Sequence, residues 1–130
     1  MESLEVALVK GNAERPQMYK WEENDCTVQC LRHALNISYD TAWRFCAAHG
    51  RVAREGFAIR RLIFPALNLV NLTPAFSGKT LNQAMPILSL GGTYIIETKG
   101  HVFTVKDGQL MNYEAINYRD ILGVWKVKEL

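Results

Sequence analysis

The sequence predicts an α+β fold in which N-terminal helices pack on a C-terminal antiparallel sheet. Apolar residues recur at helical spacing in two segments before residue 50, whereas the chain after residue 92 contains runs typical of β-strands. Within this second part, Asp107-Gly108 separates two β-rich runs and is a strong hairpin signal. Because helices come first and strands follow, the pattern favours α+β over an alternating α/β arrangement.

A helical hairpin is predicted in the first half of the chain. Its first helix spans about residues 25–36 and its second about residues 39–49, with a short join between them. Ser38 or Asp40 is the candidate N-cap of the second helix, and Gly50 is typical of its end. Weaker patterns predict a short strand at 4–9, a loop at 11–23, a helical turn at 58–62 and a strand at 67–72.

One short helix and an antiparallel sheet are predicted in the second half. Thr80 is a candidate N-cap for a helix over residues 81–88. Lys99-Gly100 marks a turn between two of the strands. The strands are predicted at residues 93–98, 101–106, 110–113 and 121–128.

Length and composition indicate one domain, residues 1–130. The chain is 48% hydrophobic, which is enough for one core, and no linker, repeat or low-complexity tract divides it. The formal net charge of +2 is too small to indicate nucleic-acid binding. No apolar run has the length of a membrane span, and the acidic start of the chain does not resemble a secretory signal. We therefore expect neither nucleic acid nor membrane as a partner.

The three cysteines predict a reducing compartment. Their number is odd, and Cys26 and Cys30 fall within one predicted helix, so a disulfide framework is not expected. The cytoplasm is therefore the expected location. No cofactor is predicted, and the sequence leaves the oligomeric state open.

Cys26 is the candidate nucleophile. It falls at the start of the first predicted helix, where free backbone amides and the helix dipole favour a thiolate and can hold an oxyanion. Asn24 or Asp25 can cap this helix, but the carboxylate of Asp25 would oppose thiolate formation unless it faced the capping amides. Cys30 and Cys46 lie among apolar residues inside helices and are predicted to be core residues.

His101 is the candidate base. It follows Gly100 and begins a β-rich run, so its side chain is expected at the end of the sheet. A catalytic histidine usually needs a second group that orients its ring. Asn112, which lies beyond the predicted hairpin turn, is the first candidate, and Glu97 and Glu114 are alternatives.

These residues together resemble the papain-like cysteine peptidase superfamily, especially its small bacterial and phage branches. Bacteriocin-processing and ovarian-tumour-type peptidases share the order of a cysteine helix, a histidine strand and an orienting residue. The residues that carry the resemblance are Asn24-Asp25-Cys26 at a helix start, Gly100-His101-Val102 at a strand start, and Asn112 after the Asp107-Gly108 turn.

The resemblance implies a papain-like fold and a cysteine peptidase or amidase-like hydrolase. Its substrate would be a protein or peptide, cleaved at a peptide, isopeptide or amide bond. Cys26 would be the nucleophile, His101 the base and Asn112 the residue that orients His101. Members of the superfamily often place a glutamine before the cysteine to bind the oxyanion, and in this chain Asn24 is the nearest candidate for that role.

Two other functions are compatible with the sequence. One is a zinc site between the two helices, for which the candidate ligands are Cys26, Cys30, His33, Cys46 and His49. The other is a catalytically inactive module of the same fold that binds a partner through exposed aromatic residues. The candidate aromatic residues are Trp21, Tyr113, Tyr118 and Trp125.

Overall fold

The computed structural model describes residues 15–61, 67–111 and 120–128. These residues form a mixed α+β structure, which confirms the predicted α+β class. In chain order its elements are a 3₁₀ turn (Gln17–Tyr19), α1 (Cys26–Leu35), α2 (Tyr39–Ala48), β1 (Leu69–Asn71), α3 (Thr73–Phe76), α4 (Leu81–Leu88), β2 (Thr93–Thr98), β3 (His101–Lys106), β4 (Gln109–Met111) and β5 (Ile121–Val127).

Local sequence signals account for the helix ends. Asn36 ends α1 in the left-handed conformation, with φ of 54°, which is tolerated better by asparagine than by most residues. The Ser38 hydroxyl accepts a hydrogen bond from the Thr41 amide at 3.1 Å and begins α2. Thr80 and Gln83 form a reciprocal capping box at the start of α4. Both predicted caps at Ser38 and Thr80 are therefore confirmed.

The strands form one antiparallel sheet in the order β1-β5-β2-β3-β4. The predicted hairpin between β3 and β4 is confirmed, because Asp107 and Gly108 both take positive φ values, 48° and 83°. Two successive left-handed residues give the turn a twist that matches the strands. The strand predicted at residues 67–72 is the edge strand β1.

Helices cover both faces of the sheet, which the sequence did not predict. Ile95, Val102 and Trp125 pack in one core cluster with residues of α1 and α2. Ile96 and Phe103, which alternate with them along the strands, pack in a second cluster with α3 and α4. The central strands therefore bury consecutive side chains rather than every second one.

Some predictions fall outside the described residues. The short strand at 4–9 and the candidate residues Asn112 and Glu114 lie there, and so does part of the helical turn at 58–62. The loop predicted at 11–23 contains the 3₁₀ turn at its described end. Within the described ranges, no helix has both the length and the apolar character needed to cross a membrane.

Candidate active site

Cys26 is the first residue of α1, and the residue before it does not cap the helix with its side chain. The Asp25 carboxylate instead accepts hydrogen bonds from Arg15, at 2.9 and 3.1 Å, and from the Tyr39 hydroxyl, at 2.7 Å. The positive charge of Arg15 therefore offsets the Asp25 carboxylate, which was expected to oppose a Cys26 thiolate. The first-turn amides of α1 stay uncovered by the cap side chain and can stabilise negative charge.

Cys26 and His101 line the same pocket, which has a volume of about 290 Å³. The pocket lies where the start of α1, the 56–59 segment and the β2–β3 turn meet. Its walls are largely apolar, and Phe57, Ile59 and Val102 contribute to them. The complete lining is Cys26, Thr27, Gly56, Phe57, Ala58, Ile59, Glu97, Thr98, Gly100, His101 and Val102.

Buried hydrogen bonds hold the elements around this pocket in place. The Thr104 hydroxyl of β3 donates to the Cys30 carbonyl of α1 at 2.7 Å, and it lies 3.3 Å from the Cys30 sulfur. The Thr27 hydroxyl, in the first turn of α1, donates to the Phe57 carbonyl. These contacts fix the helix that carries Cys26 against both the strand that carries His101 and the pocket wall.

His101 lines the pocket from the end of its strand. Its pairing partner is Thr98, at the last pair before the β2–β3 turn. Strand alternation assigns His101 to the sheet face of Phe103, whereas the neighbouring Val102 faces α1. Within the described residues, no hydrogen bond joins the His101 ring to the Cys26 thiol. The two candidate groups thus share a pocket without a hydrogen bond between them.

The other predicted site residues have different surroundings. Asn24 is exposed, takes a left-handed φ of 52°, and donates its side-chain amide to the Arg54 carbonyl at 3.1 Å. It is not among the pocket-lining residues, so the uncovered amides of α1 are the better placed oxyanion donors. Glu97 lines the pocket, but its carboxylate accepts from Arg60 at 2.8 and 3.0 Å rather than from His101.

Cys30 and Cys46 are core residues, as predicted. Both are fully buried, and burial raises the pKa of each thiol to about 12. All three cysteines are free thiols, and only Cys26 is partly exposed. Cys26 is therefore the thiol that a reagent in solvent can reach.

A buried ion pair joins the segment before α1 to the segment after α2. The sequence did not predict it. The Arg51 guanidinium donates to both oxygens of Glu22 at 3.0 Å, and both side chains are almost fully buried. Glu22 also accepts from the Trp43 indole at 2.6 Å and from the Arg54 amide at 2.7 Å. The pair ties the segment before Cys26 to the segment that leads to the pocket wall at Phe57.

The described residues do not assemble the suggested zinc site, and one of the two described aromatic residues of the suggested binding surface is buried. In the described ranges, no group of three or more His, Cys, Asp or Glu side chains is arranged to hold a metal ion. Trp125, expected on a surface, is only 1% exposed, because its strand is central and covered by helices on both sides. Trp21 is half exposed, whereas Tyr113 and Tyr118 lie outside the described residues.

No protein-family model, curated protein or solved structure matches this chain.

Proposed function

We propose that this protein is a papain-like cysteine hydrolase of the cytoplasm that cleaves a peptide, isopeptide or amide bond in a protein or peptide. The observation that carries the proposal is the single pocket lined by both Cys26, at a helix start, and His101, at a strand start. Free thiols at all three cysteines support a reducing compartment.

The chemistry uses groups that the pocket brings close. The Cys26 sulfur attacks the substrate carbonyl carbon, and His101 takes the thiol proton. The uncovered amides of α1 hold the oxyanion, because they are fixed dipoles at a partly water-excluded site. His101 then gives the proton to the leaving amine, and water, activated by the same ring, hydrolyses the thioester. Asn112 stays the proposed orienting residue on the grounds of sequence alone.

The proposal requires the His101 ring to turn toward Cys26 when substrate binds. Catalytic hydrogen bonds are often long or absent without substrate and form only in the reactive complex. His101 lies at the strand end and lines the pocket that Cys26 also lines, which supports this requirement.

Alkylation and turnover test the proposal together. Iodoacetamide should label Cys26 first in the native protein, and His101→Ala should slow that labelling because the base is lost. Cys26→Ala should abolish cleavage of an activated thioester, and His101→Ala should lower its rate by roughly 10²–10⁴-fold. Cys46→Ala is the matched control, since it removes a buried thiol outside the pocket. Unchanged turnover in Cys26→Ala would refute the proposal.

A non-catalytic binding module is the second candidate. The absence of a hydrogen bond between the Cys26 thiol and the His101 ring, within the described residues, favours it. Such a module would hold an apolar side chain against Phe57, Ile59 and Val102 without bond cleavage. A Cys26 thiol that reacts with iodoacetamide no faster than free cysteine, in a protein that turns over no thioester, would establish this second function.

A further inference from the structure

We propose that Thr98 is a positioning residue that holds the His101 ring through its hydroxyl. The catalytic role of Thr98 rests on the proposed function. Its structural test, which measures the His101 ring, does not. It assigns a role to a residue on the strand before His101, in addition to the orienting residue proposed on the strand after it.

The Thr98 hydroxyl is the first observation. Thr98 is 1% exposed, and its Oγ1 makes no hydrogen bond within the described residues. A buried hydroxyl without a partner is unfavourable, because it loses its hydrogen bonds to water and gains none. The other fully buried threonine of this hairpin, Thr104, bonds to Cys30. Thr98, one of the pocket-lining residues, therefore has an unused hydrogen-bonding group.

The strand register supplies a partner for it. Thr98 and His101 are direct cross-strand neighbours, and both line the pocket. Directly opposed residues share one sheet face and have Cβ atoms roughly 4.5–5.5 Å apart. A threonine hydroxyl and an imidazole nitrogen can close that distance by side-chain rotation alone. The hydroxyl both donates and accepts, so it can bond to either form of a ring nitrogen.

This bond would determine which His101 nitrogen faces the pocket. When one ring nitrogen is held, the tautomer is fixed and the other nitrogen is left to exchange a proton with the nucleophile. The remaining candidate on β2, Glu97, is engaged with Arg60. Thr98 is thus the described residue best placed to orient the ring.

Ring ¹⁵N chemical shifts of His101 provide the test, and they need no substrate. Long-range ¹H–¹⁵N spectra would be recorded at a pH where the ring is neutral, with the His101 signals assigned from His101→Gln. We expect one tautomer in the wild type and in Thr98→Ser, and a mixture of tautomers in Thr98→Val. Thr104→Val is the control, since it removes a buried hydroxyl from the same hairpin but on the α1 face.

Stability separates positioning from packing. Thr98→Val keeps the shape and removes the proposed hydrogen bond to His101, so it should lower the melting temperature of the wild type but not that of His101→Ala. Thr104→Val should lower the melting temperature in both backgrounds, because it removes a hydrogen bond to Cys30. A lower melting temperature in Thr98→Val, with unchanged His101 signals, would show a purely structural role and overturn the proposal.

Kinetics give the second readout. On an activated thioester, Thr98→Val should lower kcat by roughly 10–100-fold with little change in KM, because it misplaces the base. It should have no further effect in a His101→Ala background. Wild-type tautomers in Thr98→Val, or equal changes in Thr104→Val, would refute the role of Thr98. Full turnover in Cys26→Ala would instead refute the hydrolase while leaving the ring measurement valid.

Discussion

The two faces of the sheet bury different kinds of side chain. The face covered by α1 and α2 carries buried charged groups, each paired: Glu22 with Arg51, and Asp25 with Arg15. The cluster on the other face, with α3 and α4, consists of aliphatic and aromatic residues. The pocket lies at the end of the sheet beside the start of α1, where the neighbouring residues His101 and Val102 belong to opposite faces. The contrast teaches that the segments around Cys26 are held by specific polar contacts, whereas the cluster beneath α3 and α4 is held together by hydrophobic burial.

Breaking the buried ion pair should have the largest effect. Glu22→Gln keeps the shape of the side chain but leaves the Arg51 guanidinium buried without a counter-charge, so we expect a loss of about 3–5 kcal/mol in the free energy of unfolding. Urea denaturation at neutral pH measures it. Glu23→Gln is the matched control, because the Glu23–Arg54 pair is exposed, and its loss should be below about 1 kcal/mol. Similar losses in the two variants would contradict the contrast.

Truncation in the apolar cluster should come next. Leu88, at the end of α4, is fully buried, and Leu88→Ala should destabilise the protein by about 3 kcal/mol through lost burial and a residual cavity. The adjacent Ile87 is half exposed, so Ile87→Ala should change the unfolding free energy by about 0.5 kcal/mol or less. Because this cluster lies away from the pocket, the folded Leu88→Ala variant should keep the wild-type rate of Cys26 alkylation. A slower rate would show that the two faces are coupled.

A methyl group added at Gly123, next to the Trp125 ring, should destabilise the protein less. A Cβ at Gly123 would lie 2.3 Å from the buried indole ring of Trp125, and the Arg60 guanidinium stacks on that ring. Gly123→Ala should therefore lower the unfolding free energy by about 1–3 kcal/mol through overpacking. At Gly56 an added Cβ meets nothing within 4 Å, so thermal unfolding of Gly56→Ala should be close to that of the wild type.

Mild acid should produce the smallest effect. Burial opposes ionisation of Glu22, but hydrogen bonds from Arg51 and Trp43 outweigh it and lower its pKa from 4.5 to about 2. Since the folded-state pKa lies below the unfolded one, the stabilisation is complete above pH 4.5 and is lost as the pH falls toward 2. At pH 3 Glu22 is still mostly ionised in the fold, so the loss should be only part of that seen in Glu22→Gln. Glu22→Gln should not show this loss of stability in acid, because it has no carboxyl group to protonate at this position. The same dependence of stability on pH in Glu22→Gln and in the wild type would contradict the lowered pKa of Glu22.

Signals confined to a few neighbouring residues made much of the fold predictable. Thr80 with Gln83, and Asp107 with Gly108, specify a helix start and a turn because their chemistry acts over three residues or fewer. Trp125 was wrongly expected at the surface, because helices cover both faces of the sheet. Its strand therefore lacks the alternation of buried and exposed residues from which surface positions are predicted. For the same reason, the sequence did not predict on which face of the sheet His101 lies, and this follows only from the strand register.

The candidate site was predictable in part. A cysteine at a helix start and a histidine at a strand start are local features, and the fold brings both to one pocket. The Glu22–Arg51 pair joins residues 29 positions apart with no pattern between them, so only the tertiary structure reveals it. The unpartnered hydroxyl of Thr98 is likewise invisible in a strand pattern, since burial and the absence of a partner are properties of the packed state.

The hydrogen bonds between Thr104 and Cys30 join α1 to β3, so we expect these elements to unfold together and their amides to exchange with solvent only in rare large openings. The segment 52–56 is exposed along its length, so we expect it to open at a lower free energy. Opening of this segment, which ends at the pocket residue Gly56, should widen the pocket while the start of α1 and the start of β3 keep their separation.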